Sequence, residues 1–142
     1  MTHLDRSHYL AHRLAWVIMT GEWADHEIDH IDRDGLNNKW SNLRAATGGQ
    51  NRANTATRRD SRSGIKGVWR NPSSGNWVAC IYLEGKTRSV GSYSTKEEAG
   101  RAYDLAAIKL NGDYAYLNFP DRINEPPPVK IPRPISARRT KK

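Results

Sequence analysis

The sequence predicts an α+β protein made of two small modules: a ββα unit near the N-terminus, then a three-stranded antiparallel sheet packed on one helix. Three observations carry that expectation. The segment Glu27-Ile-Asp-His-Ile-Asp32 is followed by a short strand-like run, Leu43-Arg44-Ala45-Ala46, and by a helix start at Thr47. Three β-rich runs at 67–70, 77–83 and 87–93 are separated by turn residues. Thr95 then opens a helix lined with alanines. At 142 residues the chain has room for one ordinary domain or two very small ones.

The longest apolar stretch, Leu10 to Met19, is interrupted by His12 and Arg13 and is far too short to span a bilayer. It reads as an amphipathic helix in which Leu10, Leu14, Val17 and Ile18 form one stripe and Gly21 ends it. The helix is expected to pack on the following hairpin with Trp16 and Trp23. His12 reads as a hydrogen-bonded structural histidine rather than a second catalytic one, and Arg13 could reach a phosphate.

Asp29 and His30 are adjacent, so on a strand they point to opposite faces unless the strand ends or bulges there. Thr47-Gly-Gly-Gln50 reads as a capping box. Asn51 and Asn54, three apart, share a helical face that can look back at the hairpin. Asn42 stands twelve residues after His30, and Asn51 nine after that. A carboxylate, an imidazole and two amides at this spacing suit metal-assisted phosphodiester hydrolysis. Histidine has the unperturbed pKa nearest working pH, so His30 is the expected general base. Asp29 and the Asn51 amide oxygen are hard ligands suited to Mg²⁺, and Mn²⁺ suits the same oxygens. Two protein ligands argue for one metal and for one strand broken per engagement. Asn42 is expected to orient the loop or the His30 ring rather than touch the ion. An EF-hand reading of Asp32-Arg-Asp34-Gly35 fails, because Ser41 stands where the bidentate glutamate belongs. Structural zinc is excluded by a single cysteine, Cys80.

On His30, Asn42 and Asn51 within IDHIDRDGLNNKWSNLRAATGGQNRANT, the region from Leu10 to Thr55 resembles the HNH nucleases, specifically the phage and intron homing-endonuclease branch. Asp29-His30 matches that family's acid-histidine pair and Asn42 its middle asparagine. Asn51 takes the place of the last histidine, a variant accepted in that branch. The resemblance implies a ββα-metal (His-Me finger) fold. The region before Tyr9 is short for that family, which often has an extra hairpin there, so a truncated N-terminus is expected.

Charge distribution supports a polyanionic partner. The net charge is +8 and the pI near 9.9. Residues 22–34 hold six acids against Arg33 alone, whereas 35–62 hold Lys39, Arg44, Arg52, Arg58, Arg59 and Arg62 against Asp60 alone. An acidic pocket beside a basic flank is what a metal site approaching phosphate needs, although acidic turns also sit simply in solvent. Residues 56–63 read as a polar basic linker, able to track a DNA backbone or to serve as a tether.

Beyond the linker, Gly67-Val68, Trp77, Gly91-Ser-Tyr93, Thr95-Lys-Glu-Glu-Ala99, Ala102-Tyr-Asp104-Leu-Ala-Ala107 and Leu117-Asn-Phe-Pro120 resemble the AP2 DNA-binding domain over Ser63–Pro120. That resemblance implies an exposed sheet face in the DNA major groove with the helix behind. Candidate contacts are Lys66, Trp69, Arg70, Tyr82, Lys86 and Arg88; core packing is the competing role for Trp69 and Tyr82. Trp69 and Asn71 replace arginines found in plant members, so target specificity does not carry over. Residues 121–142 carry seven basic and two acidic side chains and a run of prolines. They read as a disordered extension adding salt-sensitive attraction to DNA.

The domain expectation is therefore a nuclease module at 1–55, a linker at 56–63, an AP2-like domain at 64–120 and a tail at 121–142. Function follows as a site-directed endonuclease on double-stranded DNA with Mg²⁺ or Mn²⁺ and no structural zinc, acting as a monomer or weak dimer without membrane or small-molecule partners. A lone cysteine fits a reducing cytoplasm, and the resemblance implies a phage-encoded protein in a bacterial host. The alternative is a noncatalytic DNA-binding regulator with a decayed nuclease module. RNA binding is weaker, since no RNP motif or stacking platform is evident.

Overall fold

A computed structural model describes residues 2–4 and 7–133, with side chains from Leu10 onward. The chain divides into two compact units, Met1–Arg58 with Ala107–Leu117, and Arg59–Ala106 with Asn118–Lys142. The segment Ala107–Leu117, which the sequence assigns to the second module, thus belongs to the first unit.

In the first unit, β1 (Thr2–Leu4) and β2 (Ser7–Tyr9) pair antiparallel, so the region that looked short for the family carries a small hairpin. Helix α1 (Ala11–Thr20) ends on Gly21, whose φ of 82° is the left-handed conformation that glycine adopts without strain. Strands β3 (Glu27–His30) and β4 (Leu43–Ala46) form an antiparallel pair with Asp29 opposite Arg44 and His30 opposite Leu43. Thr47 caps α2 (Gly48–Ala53) through the capping box, with Gln50 bonding back to the Thr47 backbone.

Among the described residues, Ala24, Ile28 and Leu43 form a buried cluster in this unit, with Ala15 and Trp16 of α1 packed against them; Ala46 and Ala107 are buried as well. Burying a side chain such as Ile28 or Leu43 contributes about 1.5–3 kcal/mol. The expected stripe of α1 is corrected. Ile18 is 79% exposed and Leu10 52%, and the face turned inward is that of Ala15 and Trp16, on which His12 also lies by helical spacing. Aromatic packing selects it, because Trp16 meets the His26 ring at 4.8 Å and the Trp40 ring at 5.1 Å.

The second unit holds β5 (Val68–Arg70), β6 (Trp77–Leu83) and β7 (Lys86–Tyr93) in an antiparallel sheet of order β5-β6-β7, followed by α3 (Lys96–Asn111) as far as Ala106. Thr95 and Glu98 exchange the two bonds of a second capping box. Ala99, Ala102, Tyr103 and the strand residues Val68, Ala79, Ile81 and Tyr93 are buried; the small alanines let helix and sheet approach closely. Gly67, at φ 75°, sits where a Cβ would lie 2.2 Å from the Tyr103 ring and 2.6 Å from the Cys80 carbonyl oxygen, so no other residue fits. Asp104, 1% exposed, accepts bonds from the Asn118 and Phe119 backbone N–H groups and from the Asn118 amide. Burial pushes its carboxyl up, and those donors pull it back.

Two further expectations are corrected. Ala79 faces Gly91 while Cys80 faces Ser89, which leaves Val90 as an extra residue in a β-bulge. Directly paired residues project to the same face, so the bulge turns Arg88 to the side of buried Ile81 and Lys86 to the side of Leu83. Thr87 and Ser89 instead share the outer face with Tyr82 and Cys80. The described part of the expected disordered tail is placed against the unit: Ile131 N–H donates to the Ser92 carbonyl at 2.8 Å, and Arg101 donates to the Pro126 carbonyl at 2.6 Å. Residues 134–142, with the basic end, lie outside the described residues.

Candidate functional site

The site is built on the end of β3. Asp29 and His30, as neighbours on a strand, project to opposite faces. Asp29 joins Glu27 on the side of α2, and His30 joins Ile28 on the side of α1. Asp29 is buried at 3% exposure. Its carboxylate accepts Arg44 Nε–H at 2.8 Å and the Asn54 amide on both oxygens at 3.1 Å. Asn54 also donates to the His30 carbonyl, which fixes the strand end against α2. Asn51 donates its amide to Glu27 at 2.8 Å. The helical face of Asn51 and Asn54 therefore looks back at β3, with Asn51 meeting Glu27 and Asn54 meeting Asp29.

His30 is half-buried, and its Nε2 lies 2.9 Å from Asn38 Oδ1. The Asn38 amide nitrogen points the other way, toward the Leu36 carbonyl, so the oxygen faces the ring. Facing that oxygen, Nε2 is the nitrogen that donates, an arrangement that in a neutral ring leaves Nδ1 as the acceptor a general base needs. Asn42 does not touch the ring. It is buried, donates to Asp32 and to the Asn37 carbonyl, and accepts from the Asp32 backbone. It acts as a positioning residue for the loop that carries Asn38. Asp32 is held below the usual carboxylate range by the Asn37 side chain first, then by the Asp34 backbone and Asn42.

Among the described residues no three His, Cys, Asp or Glu side chains cluster as in a closed metal cage. The oxygen donors present fit a hard cation nonetheless. The Asn51 amide oxygen is left free by the bond to Glu27, and Asp29 uses three of about four acceptor directions. Glu27 adds a carboxylate that sequence reasoning gave no role. Asn38 was missed as well. Its signal was the Asn37-Asn38 doublet in the loop eight residues after His30; that of Glu27 was its place two residues before Asp29 on one strand face.

The expected basic contacts are dispersed. Arg13 donates to the Ala24 carbonyl at 2.7 Å. Arg44 is tied within its own unit, to Asp29, to the Asp113 carbonyl and over the Tyr114 ring at 3.9 Å. Arg52, Arg58 and Arg59 are exposed on and after α2. Lys66 is bound through its backbone to the Asn118 amide. On the sheet, Trp69 and Tyr82 are 47% and 56% exposed, which places both outside the core. The Trp69 indole N–H donates to Cys80 Sγ at 3.3 Å. Arg70 is exposed, bonds the Gly75 carbonyl and lies beside Trp77. Lys86 and Arg88 are exposed on the helix side of the sheet.

Comparison with known proteins matches two regions of the chain to two families. A family model described as HNH endonuclease matches residues 9–53, and one described as AP2 domain matches 63–113. An uncharacterised HNH endonuclease of Acanthamoeba polyphaga mimivirus is 40% identical over 95 residues, 67% of this chain and 48% of that protein. Two ethylene-responsive transcription factors of Arabidopsis thaliana are 46% and 54% identical over 56 and 57 residues, 38% and 39% of this chain and 23% and 24% of theirs. The chain thus spans less than half the length of these curated relatives. No solved structure matches. No helix among the described residues is long and apolar enough to cross a membrane. The chain therefore joins a module that matches the HNH endonuclease family to one that matches the AP2 domain.

Proposed function

We propose that the chain is a DNA endonuclease that hydrolyses one phosphodiester bond of double-stranded DNA per engagement and is brought to its target by the AP2 domain. The observation that carries this reading is the Asn38–His30 bond, which leaves Nδ1 of His30 to take the proton of a water attacking the phosphorus. Asp29 and Asn51, with Glu27 beside them, would hold a divalent cation, Mg²⁺ or Mn²⁺. That ion supplies positive charge against the phosphorane and the leaving 3′ oxygen. Asn54 and Arg44 hold the Asp29 carboxylate in place, and Asn42 with Asp32 holds the loop behind His30. The outer sheet face, with exposed Trp69 and Tyr82, is the surface assigned to DNA, and the exposed Arg52, Arg58 and Arg59 add phosphate contacts.

Supercoiled plasmid incubated with the protein and Mg²⁺, with and without chelator, tests the reading. Nicked product that chelator suppresses, and that His30→Ala abolishes with DNA affinity retained, is the expected result. One observation favours a second reading, a DNA-binding regulator that does not cut: Arg44 already occupies Asp29, where a cation would sit. Absence of nicking by the wild type, with tight binding to DNA, selects that alternative.

A further inference from the structure

His12 projects from α1 toward the strand that carries His30, and the two rings meet edge to face, with centroids 5.2 Å apart and planes at 82°. Among the described residues neither nitrogen of His12 has a hydrogen-bond partner. The one buried side-chain nitrogen or oxygen without a partner in the described residues is Arg101 Nε, so the nitrogens of half-buried His12 reach solvent beside His30. Burial, then the neighbouring His30 and Arg13, hold His12 below its usual pKa. It is therefore neutral near pH 7 and offers one N–H donor. Arg13, its sequence neighbour, is anchored on Ala24 and leaves that direction open.

Packing alone does not account for this residue. An apolar ring such as phenylalanine would fill the same place against His30 with no polar atoms to desolvate. Distance argues for contact with the substrate. A water bonded to His30 Nδ1 sits about 2.8 Å from it, and a phosphorus in line for attack lies about 3–3.5 Å beyond. That sets the phosphorus about 6 Å from Nδ1, a span comparable with the 5.2 Å between the two ring centroids, so a phosphate on the α1 side of His30 comes within reach of His12.

We propose that His12 is a second catalytic histidine, donating its N–H to a non-bridging oxygen of the scissile phosphate while His30 takes the proton from the attacking water. The role rests on the nuclease reading above. A donor preorganised on the oxygen where charge accumulates typically contributes on the order of 10²-fold in rate.

The test measures single-turnover nicking and DNA affinity for His12→Phe, His12→Gln and wild type, with thermal unfolding as the folding control. His12→Phe keeps the ring contact and is expected to lose about 100-fold in rate with affinity within about twofold. His12→Gln, which keeps an N–H, is expected to recover part of that loss. A sulfur in place of the contacted non-bridging oxygen is expected to slow wild type more than His12→Phe. Wild-type rates in His12→Phe, or a His12→Gln no faster than His12→Phe, would overturn the role. A wild type that binds DNA but never nicks it would instead remove the nuclease reading itself.

Discussion

The side-chain oxygen of Asn38 lies 2.9 Å from His30 Nε2, so a loop residue between the hairpin strands holds one imidazole nitrogen and, in the proposed nuclease, leaves the other to accept a proton. Removing such a partner typically costs 10- to 100-fold in activity at related sites. Asn38→Leu should therefore slow nicking by roughly 10- to 100-fold while leaving DNA affinity and unfolding temperature nearly unchanged. An unaltered rate would mean that the bond does not set the tautomer.

Asp32 ties that loop together. Its folded pKa is depressed by donors from Asn37, Asp34 and Asn42. For a depressed carboxyl, the stabilisation is present above the unfolded pKa and is lost as pH falls through the folded one. The side-chain amide resonances of Asn37 and Asn42 should therefore stay constant from neutral pH down to about pH 4 and collapse only below it. Collapse near pH 6 would contradict this.

Arg44 meets Asp29 with side chains only 18% and 4% exposed. Breaking a buried pair by removing one partner costs about 3–5 kcal/mol, and the Asn54 amide on the same carboxylate offsets part of that. Arg44→Met should destabilise the first unit by about 3 kcal/mol in chemical denaturation. A change within experimental error would return Arg44 to the role of a free phosphate contact.

On the sheet, the bulge at Val90 separates two sets of residues. Trp69→Ala, on the outer face, should weaken DNA binding about tenfold, equivalent to about 1.4 kcal/mol. Arg88→Ala, on the opposite side, should change it less than twofold by fluorescence anisotropy. The reverse order would place the helix side of the sheet against DNA.

Much of the architecture is legible in the residues because it depends on local chemistry. The Thr47–Gln50 and Thr95–Glu98 boxes, the Gly21 stop and the alanine face of α3 follow from spacing alone. What was hidden depends on long-range contacts. The inward face of α1 was set by Trp16 meeting His26 and Trp40 rather than by its most apolar stripe. The side taken by Arg88 turned on one unpaired residue, Val90, and a period-two reading from Tyr93 runs straight through it. At the site, the types and spacing of Asp29, His30 and Asn51 were readable. That Asn51 bonds Glu27 and Asn54 bonds Asp29 required the folded hairpin.

The Ile131–Ser92 bond has a bearing on solubility. Strand β7 borders the sheet, and a bare border offers a row of amide and carbonyl groups to any passing chain. Ile131 occupies part of that border, and Pro132, which follows it, has no N–H with which to recruit a further strand. A protein cut back to residue 120 would lose this guard, and its molecules would be free to zip together through β7.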